Sequence, residues 1–125
     1  MATVEKQYII KAAPKKVYEA LTSENLIEQW SGATAKMDIS PEGVFSLWGE
    51  TIHGVNKEVT EERIVQLWKE ESWQDYSSCV FTIEKSDDST VLTLTHTDVP
   101  ESSARSIDQG WDEYYLGPLK ELLEN

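Results

Sequence analysis

Residues 110–119 read Gly-Trp-Asp-Glu-Tyr-Tyr-Leu-Gly-Pro-Leu. Three aromatics fall within five residues, among two glycines and a proline that a helix ordinarily avoids. The surrounding period is nonetheless helical. Ile107, Trp111, Tyr115, Pro118 and Leu122 share one broad face, and Leu119 and Leu123 widen it. The pattern predicts the longest helix of the chain, from Ser102 or Ser103 to Leu123, after a break at Val99-Pro100. Gly110 costs such a helix about 1 kcal/mol against Ala. That cost predicts a close approach, with bulk at 110 colliding with a sheet beside Trp111. Pro118 cannot donate to the carbonyl of Tyr114, so a kink is expected at Gly117-Pro118, one that lets a helix follow a curved sheet. Asp112 and Glu113 are expected to face water, and Tyr114 to sit at a boundary. Trp111 and Tyr115 read as core, with cavity wall and partner contact as the alternatives, because aromatics dominate cores and interfaces alike.

Working back from this helix, the chain needs a sheet for it to cover. Residues 3–11 alternate Val4, Lys6, Tyr8 and Ile10 on one face and predict a first strand. Pro14 suits the first turn of a short helix carrying Val17, Tyr18 and Leu21. Thr22 or Ser23 caps a second, Glu24 to Trp30, which Ser31-Gly32 ends. Strands are then expected at Thr34–Ile39, Val44–Gly49, Thr51–Thr60, Arg63–Glu70, Cys79–Glu84 and Thr90–His96. A polar hairpin connection, KSDDS at 85–89, joins the last two. The segment 71–78, with Trp73 and Tyr76, reads as a long exposed loop or as the splayed ends of two strands. Short links favour an antiparallel meander. The fold class is therefore α+β: a curved antiparallel sheet around a long C-terminal helix, with two short helices after the first strand, in one domain over residues 3–124.

The 125 residues suffice for one core. No apolar run is long enough to span a membrane, and Met1–Ile10 lacks a signal-peptide pattern. Cys79 is the only cysteine, which fits a reducing, cytoplasmic setting. The net charge is −12 and uneven. Residues 1–36 hold five basic and four acidic side chains, whereas residues 37–125 hold six basic and nineteen acidic. Such a surface repels nucleic-acid phosphates and anionic membranes, keeps the chain soluble, and admits a basic partner.

Catalytic chemistry is thinly represented. His53, His96 and Cys79 have no metal-ligand spacing, so no metal or other cofactor is expected. His96 and Asp98 would share a face of an extended strand, but no nucleophile accompanies them. Glu61-Glu62, Glu70-Glu71 and Asp87-Asp88 read as solvated charge. There is no phosphate-cradling loop and no hydrolase signature. Five tryptophans, at 30, 48, 68, 73 and 111, are many for so short a chain. Trp48 and Trp68 fall in predicted strands. With Trp111 and Tyr115 they are the candidates for a ligand cavity or for the grip of helix on sheet. Large aromatics consume volume, so filling is favoured over lining.

Three segments carry a resemblance: YIIKAAPKKVYEALTSENLIEQW (8–30), VFSLWGETIHGVNKEV (44–59) and QGWDEYYLGPLKELL (109–123). In their order and spacing the chain resembles the family named for the activator of the 90-kilodalton heat-shock chaperone's ATPase. That family lies within the START-like, birch-pollen-allergen-like helix-grip superfamily. The resemblance implies that Trp111 and Tyr115 hold the closing helix on the sheet and that Gly110 permits its approach. It also implies that residues 46–54 lie in the middle strands of the grip. The FSLWGE and GVN portions look most like the C-terminal domain of the two-domain eukaryotic activator, which is similar to a docking element. The other domain of that protein supplies much of the stimulation. The implied function is a co-chaperone-like module binding a heat shock protein 90-type chaperone, without catalytic activity of its own. The alternatives are a carrier of a small hydrophobic ligand and a cyclase-like enzyme. The latter requires His53 or His96 to face the cavity. Oligomeric state is not legible here.

Overall fold

Alternation in the first strand, β1 (Ala2–Ile10), sets the inner face of the sheet: Val4 and Ile10 are buried, and Ile9 is 60% exposed. A computed structural model describes residues 1–125, the whole chain. After β1 come α1 (Pro14–Thr22) and α2 (Glu24–Ser31), then β2 (Lys36–Met37), β3 (Val44–Leu47), β4 (Ile52–Val59), β5 (Arg63–Glu70), β6 (Ser77–Ser86) and β7 (Ser89–Val99). All neighbours are antiparallel, in the order β1-β7-β6-β5-β4-β3-β2. The first strand thus closes beside the last, and residues 46–54 lie toward the β2 edge instead of in mid-sheet. The chain ends in α3 (Ala104–Gly110), a π-helical segment Trp111–Leu116, and α4 (Gly117–Glu124), which run on without a break. No helix is long and apolar enough to cross a membrane.

The caps act where their chemistry places them. Pro14 opens α1, the Ser23 side chain accepts from the Leu26 amide, and Gly32 ends α2 with φ +72°. Beyond Gly32 the expected strand 34–39 shrinks to two residues. The amides of Ala35 and Met37 donate to the carboxylates of Glu28 and Glu24 on α2 at 3.1 and 3.0 Å. The Asp38 side chain accepts from the Ser40 amide and starts a turn. The edge of the sheet is blunted by side chains from a neighbouring helix.

Residues 71–76 are an exposed loop and Ser77 and Ser78 begin β6, with one exception to the exposure, Trp73. It is 7% exposed, packs against Trp68, and its indole N–H donates to Ser103 Oγ at 3.3 Å. Only Tyr76 of that pair stays exposed.

The C-terminal helix resolves its glycine and proline differently from a simple kink. Pro118 removes one helical donor. The preceding turn widens, and the Gly117 amide reaches Asp112 O, five residues back. A Cβ at Gly117 would overlap that same carbonyl oxygen, so the widened turn requires glycine there. The extra residue rotates the face that follows. Leu116 and Leu119 are buried with Trp111 and Tyr115, while Pro118 and Leu122 are only partly buried.

Candidate functional site

The inner face of the sheet carries a polar row beneath the C-terminal helix. Asn56, Gln66, Cys79 and His96 are cross-strand neighbours on β4, β5, β6 and β7, and each is at most 2% exposed. His96 joins helix to sheet. Trp111 Nε1 donates to His96 Nδ1 at 3.0 Å, and His96 Nε2 lies 2.7 Å from Ser77 Oγ. Ser77 Oγ in turn donates to the carbonyl of Trp68 at 2.6 Å. Because Nδ1 accepts, the proton of the neutral ring sits on Nε2 and is given to Ser77. Burial holds the imidazole neutral, its pKa pushed down to about 4. Both ring nitrogens are engaged, so His96 has none free for a substrate.

Asp98 does not join it. An irregularity in the β1–β7 register gives β7 an extra residue, and Asp98 takes φ +61° and is exposed. His53 lies on the outer face, edge-on to Tyr76. There it lines a separate depression on the outer face, with Glu50, Glu71 and Tyr76, and neither histidine lines the cavity under the C-terminal helix.

A cavity of about 320 Å³ opens between the C-terminal helix and strands β4 and β5. Its apolar wall is Trp48, Ile52, Trp68, Ile107, Trp111 and Tyr115. Thr51, Glu70, Ser106 and Tyr114 add polar groups. The four aromatic candidates from the sequence thus converge on one space. They also pack on one another: Trp68 and Trp111 stack at 5.3 Å, and Trp111 meets Tyr115 at 4.6 Å. Trp68, Trp111 and Tyr115 are at most 4% exposed and bridge core and cavity.

Three features of this wall run against local preference. Trp48 lies past the end of β3, not within a strand, and takes φ +50°, a conformation costing a bulky residue about 1–3 kcal/mol. Hydrogen bonds from Gly49 N to Thr34 O and from Thr51 N to Trp48 O hold that turn. Trp68 Nε1 is buried with no acceptor. Gly110 does not serve a close approach: a Cβ there would meet only Tyr114 Cδ2, at 3.8 Å. It leaves the cavity wall open instead. Within the sheet a close approach is permitted at Gly54, whose Cβ would overlap Leu67 O and press within 2.8 Å of the Phe45 ring.

Of the lining residues not singled out by sequence, Ile107 lay on the same helical face as Trp111. Thr51 and Glu70 come from a turn and a strand end, and carry no spacing signal. Also missed was the clamp on the far side of the helix. Lys6 Nζ lies 2.9 Å from Asp108 and 2.7 Å from Asp112, and Tyr8 donates to Asp112 at 2.5 Å. Asp112, expected only to face water, therefore ties the helix to β1. Burial alone would raise its pKa. The hydrogen bonds from Lys6 and Tyr8 outweigh that and hold the carboxyl below its usual range.

Residues 11–124 match the family model described as activator of Hsp90 ATPase homolog 1-like protein. The chain is 27% identical over 122 residues to the uncharacterized protein C1711.08 of Schizosaccharomyces pombe, covering 95% of this chain and 36% of that protein. It is 26% identical over 114 residues to the activator of 90 kDa heat shock protein ATPase homolog of Dictyostelium discoideum, covering 88% and 30%. The crystal structure of PFC0360w, an HSP90 activator from Plasmodium falciparum, superposes with a TM-score of 0.93 at 25% identity, covering 98% of this chain and 96% of that one. The chain spans about a third of the length of the curated relatives it matches.

Proposed function

We propose that this chain, which belongs to the activator of Hsp90 ATPase homolog 1-like family, is a co-chaperone-like module that docks on a heat shock protein 90-type chaperone in the cytoplasm and modulates its ATPase. The observation that carries the reading is the end-to-end likeness to the Plasmodium activator, which takes in 96% of that chain. A chain described as an HSP90 activator therefore has the dimensions of this one unit. The docking unit is the single domain 3–124, and the chemistry stays with the chaperone. The charge of −12 supports a partner with a basic surface.

The test is the ATPase rate of the purified chaperone from the same organism as this chain is added, with binding followed by calorimetry. A saturable rate increase supports a single-domain activator. Binding without stimulation supports an accessory role and removes activation from the reading. Absence of both binding and a rate change overturns the proposal.

A further inference from the structure

The two edges of the sheet are finished differently. At β2 the amides of Ala35 and Met37 are taken by glutamates of α2. At β1 the edge is open over its middle. Only Asp87 and Asp88 connect β6 to β7, so the flanking Ser86 and Ser89 exchange both their hydrogen bonds. Alternation then turns the odd-numbered residues of β7 toward β6 and the even-numbered ones toward β1. The Ile83 amide, which donates to Glu62 O on the β5 side of β6, fits that parity. In β1 it is therefore Val4, Lys6, Tyr8 and Ile10 that bond β7, through His96, Leu94, Leu92 and Thr90. The amides and carbonyls of Glu5, Gln7 and Ile9 point the other way, and no group of the chain takes them up. All three residues are exposed. The Lys11 amide, next in that row, donates to Glu124 on α4 at 2.9 Å and closes its end. Proteins ordinarily blunt such an edge with an inward charge, a proline or a covering loop. β1 has nine residues and no proline, and its inward lysine, Lys6, is held by the helix.

We propose that β1 is a docking edge, which takes up an extended, lysine- or arginine-bearing segment of a partner protein as an added strand of the seven-stranded sheet. Glu5, Gln7 and Ile9 each offer one donor and one acceptor, at the every-other-residue spacing that an added strand uses. Charge along the edge selects a basic occupant. Asp108 and Asp112 stand over β1 and share one cation, Lys6, while Glu5 on the outer face has none. Ile9, 60% exposed on that face, adds an apolar contact. A second copy of the chain fits less well. Two-fold pairing of β1 strands sets the aspartates of one helix toward those of the other, between chains of −12 each. Assignment of the segment to the chaperone rests on the function proposed above.

Amide hydrogen exchange on the intact chain, quenched and read residue by residue with and without the purified chaperone, tests the edge. Glu5, Gln7 and Ile9 are expected to exchange fast in the free chain and about tenfold more slowly in the complex. Gln7→Pro removes one edge donor and leaves the bonds to β7 in place, a position where an edge strand tolerates proline. It is expected to stay folded by circular dichroism and to bind the chaperone about tenfold more weakly. Gln7→Ala, which keeps the N–H, is expected to bind as the native chain does. Glu5→Lys is expected to weaken binding about threefold. Absence of chaperone binding overturns this inference together with the function proposed above. Binding that leaves the three amides exchanging as in the free chain overturns the docking edge alone, and so does undiminished binding to folded Gln7→Pro. Unchanged affinity in Glu5→Lys overturns the basic occupant. A native chain that sediments as a dimer while Gln7→Pro sediments as a monomer gives the edge to a second copy and overturns the assigned partner.

Discussion

The indole of Trp111 donates to His96 Nδ1 across 3.0 Å, so the C-terminal helix is fastened to β7 by a bond that only a neutral imidazole can accept. Protonating the ring would put a second N–H against the first and charge a fully buried site. The unfolded ring titrates near about 6.5, the folded one at about 4. Between those values the unfolded chain binds the proton and the folded chain does not, so stability rises with pH. The contribution is complete above the unfolded value and is lost as pH falls toward the folded one. About 2 kcal/mol should disappear between roughly pH 7 and pH 5. Urea midpoints at the two pH values measure it. In His96→Gln that window should flatten, whatever the absolute stability of the variant; an unchanged slope would place the titration elsewhere.

Gly110 and Gly117 stand seven residues apart in one helix and should respond oppositely to alanine. At Gly110 the new methyl meets only Tyr114 Cδ2, so the gain in helix propensity, about 1 kcal/mol, is realised. At Gly117 it strikes the carbonyl that closes the widened turn, and the loss should be about 1–3 kcal/mol. Thermal midpoints should therefore move apart, by roughly 4 °C per kcal/mol in a domain of this size. A stabilising Gly117→Ala would mean that the widened turn does not persist in solution.

The clamp of Lys6 and Tyr8 on Asp112 joins the other side of the helix to β1. Asp112 is exposed, so Asp112→Asn should cost less than about 1 kcal/mol, and less still in high salt. Its folded pKa is depressed. The contribution is therefore present above the unfolded value and is lost as pH falls through the folded one. Acid titrations of native chain and variant should converge at the low end of that range. Parallel curves throughout would show that the clamp adds nothing.

The parts of the fold that were legible in the sequence are those where local chemistry and tertiary need agree. Pro14, Ser23 and Gly32 bound the two short helices because each supplies what a helix end lacks. The alternation Ile64, Gln66, Trp68 gives β5 as Arg63–Glu70 without error, because one face is buried and the period leaves no choice of register. The four aromatics at the cavity were legible as a set by type, but not the space between them, which depends on what Gly110 leaves open. Single-residue insertions were invisible. The bulge that turns Asp98 away from His96 and the widened turn that buries Leu116 each shift a period by one, and no propensity marks where. Backbone amides captured by Glu24 and Glu28 shortened β2 for a reason that lies in another element altogether.

Charge makes the last prediction, about the partner. Residues 37–125 carry nineteen acidic and six basic side chains. Lys57 and Arg63 are taken up by Glu42 and Glu58, which leaves the surrounding field negative. If the proposed chaperone contact uses that field, its association rate must fall as the Debye length shortens from about 30 Å at low salt to about 3 Å at molar salt. Dissociation, governed by contacts at close range, should change far less. Stopped-flow or surface-binding kinetics at graded ionic strength separate the two. A slope carried by the association rate assigns recognition to the acidic surface. A flat association rate with intact affinity would instead give recognition to apolar contacts, with exposed Tyr114 and Val44 the first positions to substitute.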